Sequence, residues 1–164
     1  MNIDEKIEFL RKKHPKFSRR VMHDVDDKGN EFCEIIYPNE NNPMMPIAVS
    51  VSDEGCLISV GKYPNVTGDY PITVEQACSA IDDVINDRIV FVFGYENIED
   101  EGNPPFMTEL FPITGGEDDE SLELEKFIAR ISTPVKGLKR RFTSLKGRFV
   151  ITDFSGKSRR EITR

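Results

Sequence analysis

The sequence predicts an α+β fold: a mainly antiparallel sheet built from two hairpins and a central strand at 88–95, with two to three helices packed on it. Three observations support this class. Two pairs of segments alternate apolar and polar residues and are joined by turns that contain glycine. A capping box at Thr73 opens an amphipathic segment. The run at 88–95 is apolar on both faces, which is typical of a central strand covered by a helix.

The length and composition predict one soluble domain over residues 1–164. A chain of 164 residues can bury a core without disulfides or metals. No apolar run approaches the roughly 20 residues of a membrane span. The first residues lack the basic start and apolar stretch of a signal peptide. We therefore expect a cytoplasmic protein without a membrane span.

The first helix is predicted over residues 2–13. Asn2 is a suitable N-cap, and Glu5 stands three residues later, as a capping box requires. Pro15 ends the helix, because the residue before a proline is pushed out of the α region.

The first hairpin follows. Val21, His23 and Val25 occupy alternate positions, so one face of the strand carries all three. The turn at 26–30 contains a glycine, and the return strand covers 32–37. We expect His23 to be a hydrogen-bonded packing residue on this apolar face.

The second hairpin combines strands at 47–52 and 56–60. Both alternate apolar and polar residues, and the turn at 53–55 ends in glycine. The connection at 38–46 is rich in Asn and Pro, which predicts a loop.

The remaining elements are two helices and two strands. Apolar residues at helical spacing follow Thr73 until about Asn86, and the central strand follows almost at once. A third helix is predicted over 121–132, where alternation fits less completely than helical spacing. A last strand is predicted over 148–154.

Charge is distributed very unevenly along the chain. The whole sequence carries a net charge of −7. The acidic region at 96–125 holds eleven Asp or Glu residues and no Lys or Arg. The basic segment at 136–164 holds ten Lys or Arg residues against two acidic ones, a net charge of +8. Because a strand is predicted inside the basic segment, we expect most of it to belong to the fold and only its last ten residues or so to form a tail.

The acidic region is the first candidate site. It can be a solvated loop, a surface that binds a protein partner, or a divalent-metal site to which Asp82 and Asp83 would contribute. The predicted partner-binding carboxylates are Glu99, Asp100, Glu101, Glu117, Asp118, Asp119 and Glu120.

The basic segment is the second candidate site. Its side chains could contact phosphates and release counterions, while interleaved phenylalanines could stack on bases or fill a core. Alternatively, the segment lies against the chain's own acidic region. The candidate anion or nucleic-acid contacts are Lys139, Arg140, Arg141, Lys146, Arg148, Lys157, Arg159 and Arg160.

Catalytic motifs are missing from the sequence. Cys33, Cys56 and Cys78 lack the spacing of metal ligands and are expected to be reduced core thiols. Cys33 can face His23 across the first hairpin, but two groups do not make a triad. The turn that begins at Asp24 is not an EF-hand loop, because Lys28 and Ile35 stand where calcium ligands are required. The sequence at 156–158 is not a phosphate-binding loop, because Ile151 stands where the motif requires its first glycine. We predict no catalytic residue, no metal ligand and no cofactor.

Three functional hypotheses follow. The leading one is a non-enzymatic protein-binding module, most sharply an immunity- or inhibitor-type protein that masks a basic partner such as a toxin, because an acidic surface steers a basic partner into fast association. The second is a nucleic-acid-associated regulatory protein that uses the basic segment. The third is a carboxylate- or metal-dependent enzyme of unknown substrate.

Overall fold

The predicted α+β class is confirmed. The computed structural model describes residues 1–66, 68, 70–95, 105, 107–113, 120–132 and 148–163, and it describes the backbone alone at 120–122 and 130–132. Within these ranges the chain forms three helices and two four-stranded antiparallel sheets. The chain divides into two compact units, Met1–Asn86 and Asp87–Arg164. The two predicted hairpins form the sheet of the first unit, whereas the predicted central strand lies in the sheet of the second.

The first unit contains two helices and four strands. Its sheet has the order β1-β2-β3-β4, so each strand pairs with the next strand along the chain. Its elements are α1 (Ile3–Lys13), β1 (Met22–Val25), β2 (Glu31–Tyr37), β3 (Ile47–Ser52), β4 (Cys56–Val60) and α2 (Val74–Ile85).

Both predicted capping boxes of the first unit are present. In α1, Asn2 accepts a hydrogen bond from the backbone N–H of Glu5, whose carboxylate accepts one from the backbone N–H of Asn2. Thr73 and Gln76 make the equivalent pair in α2. These side chains satisfy backbone donors that would otherwise lack partners at each helix start.

The core of the first unit lies between the helices and one face of the sheet. Helix α1 contacts β2 and β3, and helix α2 contacts β4. The inward side chains of these strands alternate with more exposed ones, as the sequence pattern predicted. The fully buried inward side chains include Ile35, Val49, Val51 and Ile58.

Strand β1 lies beside this covered part of the sheet, and all four of its residues are exposed. Val25 is 54% exposed although it shares a face with the buried residues of β2. His23 lies on the predicted face and within hydrogen-bond distance of Cys33, but it is exposed rather than buried. An alternating pattern predicts which residues share a face, but it does not say whether a helix covers that face.

The second unit contains four strands and one helix. Its sheet has the order β6-β5-β7-β8. Residues 160–163, which the sequence suggested as part of a tail, form a strand paired with β7. The elements are β5 (Ile89–Tyr95), β6 (Met107–Pro112), α3 (Glu120–Ser132), β7 (Arg148–Asp153) and β8 (Arg160–Thr163).

Strand β5 is buried along its whole length, as predicted for a central strand. Strand β7, at the start of the described part of the basic segment, pairs with it on one side. Helix α3 packs on one face of this sheet through Leu124 and Phe127, which contact a cluster of strand residues. The buried strand members of this cluster are Val90, Val92, Phe149 and Ile151.

Candidate functional site

The predicted acidic surface cannot be placed as a unit. Glu99, Asp100, Glu101, Glu117, Asp118 and Asp119 lie outside the described residues. Glu120 is the first residue of α3, where only the backbone is described. The partner-binding role of these carboxylates stays a prediction.

The basic segment is described from Arg148 onward, and its arginines there contact carboxylates. Arg148 donates from Nε to Oε2 of Glu161 at 2.9 Å and from Nη2 to Oε1 at 2.5 Å. Arg159 donates to the same Oε1 at 2.9 Å. Two candidate phosphate contacts thus share one carboxylate of their own sheet.

The acidic region and the basic segment meet at one described point. Arg160 of β8 donates to Glu125 of α3 at 3.4 Å. Lys157 is exposed in the turn between β7 and β8. Lys139, Arg140, Arg141 and Lys146 lie outside the described residues. In the described part of the segment, the pattern is one of internal pairing.

Glu161 provides a testable consequence of this pairing. Hydrogen bonds from Arg148 and then Arg159 lower the pKa of Glu161 from 4.5 to about 2. A carboxyl with a lowered folded-state pKa stabilises the fold above its unfolded pKa, and this contribution is lost as pH falls from about 4.5 to about 2. We expect Glu161→Gln to reduce the free energy of unfolding by about 1 kcal/mol at pH 7, since the pair is partly exposed.

The measurement is urea unfolding of wild type and Glu161→Gln between pH 3 and pH 7. The difference between the two proteins should shrink below pH 4.5 and with added salt. Glu109→Gln is the matched control, because Glu109 is an exposed carboxylate of the same sheet whose strand lies on the far edge. A difference that does not change with pH would contradict the assignment to Glu161 ionisation.

A groove in the first unit brings carboxylates from separate turns together. It is at the end of the first sheet that carries the β1–β2 and β3–β4 turns. These two turns are side by side because Phe32 pairs with Ser52. Its volume is about 610 Å³. We call it the acidic groove, and its carboxylates are Asp26, Glu31, Asp53 and Glu54.

The described lining of the acidic groove contains no cation, although the positive charges of Lys28 and Lys6 lie beside it, near Asp26 and behind Asp53. None of the lining residues is a Lys, Arg or His. The pKa of Asp26 lies below its ordinary value because Asn30 donates from its side chain and backbone, with a further bond from the backbone of Lys28. Four carboxylates on one concavity create a negative potential that attracts cations.

Apolar side chains form the rest of the groove. Ile3, Phe32, Leu57 and Pro71 line it, and Leu57 is 37% exposed. Tyr70, next to Pro71, is 80% exposed. Exposed apolar and aromatic side chains surrounded by polar groups are typical of protein-binding surfaces.

Two local contacts hold the groove in shape. The ammonium group of Lys6 is largely buried and donates to the carbonyl oxygens of Ser52 at 2.6 Å and Asp53 at 2.9 Å. On the other side, the backbone N–H of Cys56 donates to the carbonyl oxygen of Ile72 at 2.8 Å. The turn that carries Asp53 and Glu54 is thereby fixed to α1 and to the chain before α2.

The predicted proximity of Cys33 and His23 is present. The Sγ atom of Cys33 lies 3.2 Å from Nδ1 of His23. Burial, with smaller effects of the nearby carboxylates of Asp4 and Glu31, raises the pKa of the Cys33 thiol. A nucleophilic cysteine needs the opposite shift. As predicted, all three cysteines are buried and unpaired thiols.

The other titratable candidates do not form a recognisable centre. The Oδ1 atom of Asp82 lies 3.9 Å from Nε2 of the buried His14, and this nitrogen has no hydrogen-bond partner among the described residues. No group of three or more His, Cys, Asp or Glu side chains in the described ranges is placed to hold a metal ion. No helix in the same ranges is long and apolar enough to cross a membrane.

Comparison with known proteins gives no family assignment. No family model, no curated protein and no solved structure matches the chain. The fold and the site define the chain as an α+β protein with an acidic, partly apolar groove.

Local patterns in the sequence do not predict the acidic groove, although they predict the two hairpin turns beside it. Each turn contains adjacent acidic residues: Asp26 with Asp27, and Asp53 with Glu54. Only the pairing of β2 with β3 brings the two turns together.

Proposed function

We propose that this protein is a non-enzymatic binding module whose acidic groove receives a basic segment of a partner protein. In its sharpest form it is an immunity- or inhibitor-type protein that masks a basic partner such as a toxin. The observation that carries this proposal is the lining of the groove, which combines four carboxylates with apolar side chains and has no basic residue among those described.

Lysine and arginine side chains suit this combination. Their alkyl stems can lie along Leu57 and Pro71 while the charged head reaches the carboxylates. A volume of about 610 Å³ is of the size that holds a small ligand rather than a folded domain, so the groove takes a few side chains of the partner. The negative potential would also accelerate association with a basic protein.

The test is binding of a lysine- and leucine-rich peptide and affinity capture from the source cell, with a double variant of the groove. Asp53→Asn with Glu54→Gln removes two charges, while the backbone carbonyl that Lys6 contacts stays in place. At roughly 0.5–1 kcal/mol for each lost charge interaction, affinity should fall about tenfold, with most of the loss disappearing at high salt.

The matched control is Glu40→Gln with Glu75→Gln, which removes the same charge from exposed positions of the same unit outside the groove. We expect this control to bind within about twofold of wild type. Equal binding by the groove variant and the control would contradict the proposal, because it would show that overall charge and not the groove determines affinity.

The described structure does not favour the two alternative functions. The arginines of the basic segment that are described pair with Glu161 and Glu125, which leaves nucleic-acid binding a prediction about its other residues. The third hypothesis, an enzyme that uses carboxylates, also stays a prediction.

A further inference from the structure

Strand β1 presents an open edge. Among the described residues no strand pairs with the side of β1 that faces away from β2. Met22 is 36% exposed and Val25 is 54% exposed, so the strand also shows apolar side chains to solvent. An edge of this kind is a template for pairing with another strand.

The hydrogen-bond pattern shows which backbone groups this edge offers. The N–H of Asp26 donates to the carbonyl of Asn30 at 2.9 Å, in line with the β1–β2 register. In an antiparallel pair such bonds occur at every second position, so the N–H and C=O groups of His23 and Val25 point away from β2. The N–H of Val25 indeed donates to the carboxylate of its neighbour Asp24 at 2.8 Å.

We propose that β1 pairs with β1 of a second copy of this chain, in an antiparallel register centred on His23. A two-fold axis between two such strands must be perpendicular to the sheet. Residues with outward backbone groups alternate along β1 and must face each other across the axis, so the sequence numbers of opposite residues add to an even value. In this register His23 faces the partner's His23, and Val21 faces the partner's Val25. The two outward N–H and C=O groups of each His23 then bond across the axis.

The charges of the flanking residues match this register. One residue past the strand, this register places Arg20 opposite the partner's Asp26, whereas Asp27 lies in the turn, where the register ends. Arg20 is exposed and forms no ion pair with a residue that the structure describes. In the dimer, Val21 would cover the side chain of the partner's Val25, which is 54% exposed in the monomer.

Neighbouring registers match less well. Centring on Asp24 places that carboxylate opposite the partner's Asp24, which is repulsive. Centring on Met22 keeps an attractive pair, Arg20 with the partner's Asp24, and places Met22 opposite the partner's Met22. However, it places the outward backbone groups of Val25 opposite the partner's Arg19, which lies in a bend outside the strand, so it forms fewer backbone hydrogen bonds. Charge thus disfavours the register centred on Asp24, and backbone hydrogen bonding favours the register centred on His23 over the one centred on Met22.

The contact is short, and the dimer should be weak. A strand edge of about five residues buries much less than the roughly 1,600 Å² of a standard interface. We expect a dissociation constant on the order of 100 µM. In the monomer, the N–H of Val25 donates to the carboxylate of Asp24. In the dimer, the same N–H would have to donate to the carbonyl oxygen of the partner's Val21, so the two hydrogen bonds compete.

The experiment is sedimentation equilibrium of the full chain up to about 500 µM. His23→Pro removes the outward N–H without removing a bond to β2, so it should weaken the dimer at least about tenfold. His23→Ala, which keeps the backbone donor, should stay within about threefold of wild type. Asp24→Ala removes the competing acceptor and should tighten the dimer about threefold.

A second pair of variants tests the register. Val21→Asp and Val25→Lys should each weaken self-association. An equal mixture of the two should form heterodimers, because the carboxylate introduced at position 21 then faces the ammonium group introduced at position 25 of the other chain. Circular dichroism and urea unfolding of each variant confirm that it is folded before its dimer is measured.

Three outcomes would overturn the proposal. The first is a wild type and an Asp24→Ala variant that are both monomeric at about 500 µM. The second is a dimer that His23→Pro leaves unchanged, since it would use another surface. The third is a monomer that binds the lysine- and leucine-rich peptide and loses it in His23→Pro, which would assign the edge to a foreign strand.

Discussion

Replacement of Phe149 by alanine is expected to lower the free energy of unfolding of the second unit by about 3–5 kcal/mol. Phe149 is fully buried on β7 and belongs to the cluster that includes Leu124 and Phe127 of α3. Loss of the ring removes its apolar burial and leaves a cavity that the two neighbouring strands of β7 can fill only in part. This prediction tests whether the basic segment is part of the core.

The measurement is urea unfolding together with hydrogen exchange of the amides of β5 and β7. Phe149→Leu retains most of the apolar volume, so it should lower the free energy of unfolding by less, about 1–1.5 kcal/mol. Amides of β5 should exchange faster in Phe149→Ala, because their bonds to β7 depend on the packing of that strand. A loss below about 1 kcal/mol in Phe149→Ala would show that residues 148–153 do not carry the core of this unit.

Replacement of Gly55 by alanine is expected to lower the free energy of unfolding by about 2–4 kcal/mol. Gly55 has a φ of +154°, and a Cβ atom there would lie 2.5 Å from the carbonyl oxygen of Ile72 and 3.1 Å from Cβ of Pro71. That carbonyl accepts the N–H of Cys56, so it cannot move without the loss of a hydrogen bond. The same turn carries Asp53 and Glu54, and the variant should therefore also weaken binding of the basic peptide.

Gly29→Ala is the control for the backbone conformation. Gly29 also has a positive φ, +85°, but a Cβ atom there would meet nothing within 4 Å. We expect this variant to lower the free energy of unfolding by about 1 kcal/mol, because alanine is disfavoured in the left-handed region. Thermal and urea unfolding of the two variants gives the comparison. Equal losses would show that the close approach to Ile72 is not what requires glycine at 55.

The helices and hairpins were predictable because their determinants are local. A capping box lies within four residues, so the spacing of Asn2 and Glu5 is enough to predict it. Likewise, the turn at Asp26 is organised by its own carboxylate, which accepts bonds from the backbone of Lys28 and Asn30.

Strand β6 was not predicted, and its reason is tertiary. It follows a proline-rich acidic stretch and ends in Pro112, which argues against a strand in local terms. As an edge strand it tolerates proline, and its pairing with β5 and the packing of Phe111 on Phe127 stabilise it. Residues far apart in sequence supply both contributions.

The sequence by itself determined the α+β class, the capped helices, the two hairpins, the buried β5 and the membership of residues 148–153 in a strand. Each of these depends on the spacing of neighbouring residues, which a linear reading can measure. Only the tertiary structure decided that the strands form two sheets, that β1 is left uncovered, and that four carboxylates from separate segments line one groove. Those features depend on which strand pairs with which and on where a helix lies, because register and helix packing set distances between residues that the sequence keeps apart.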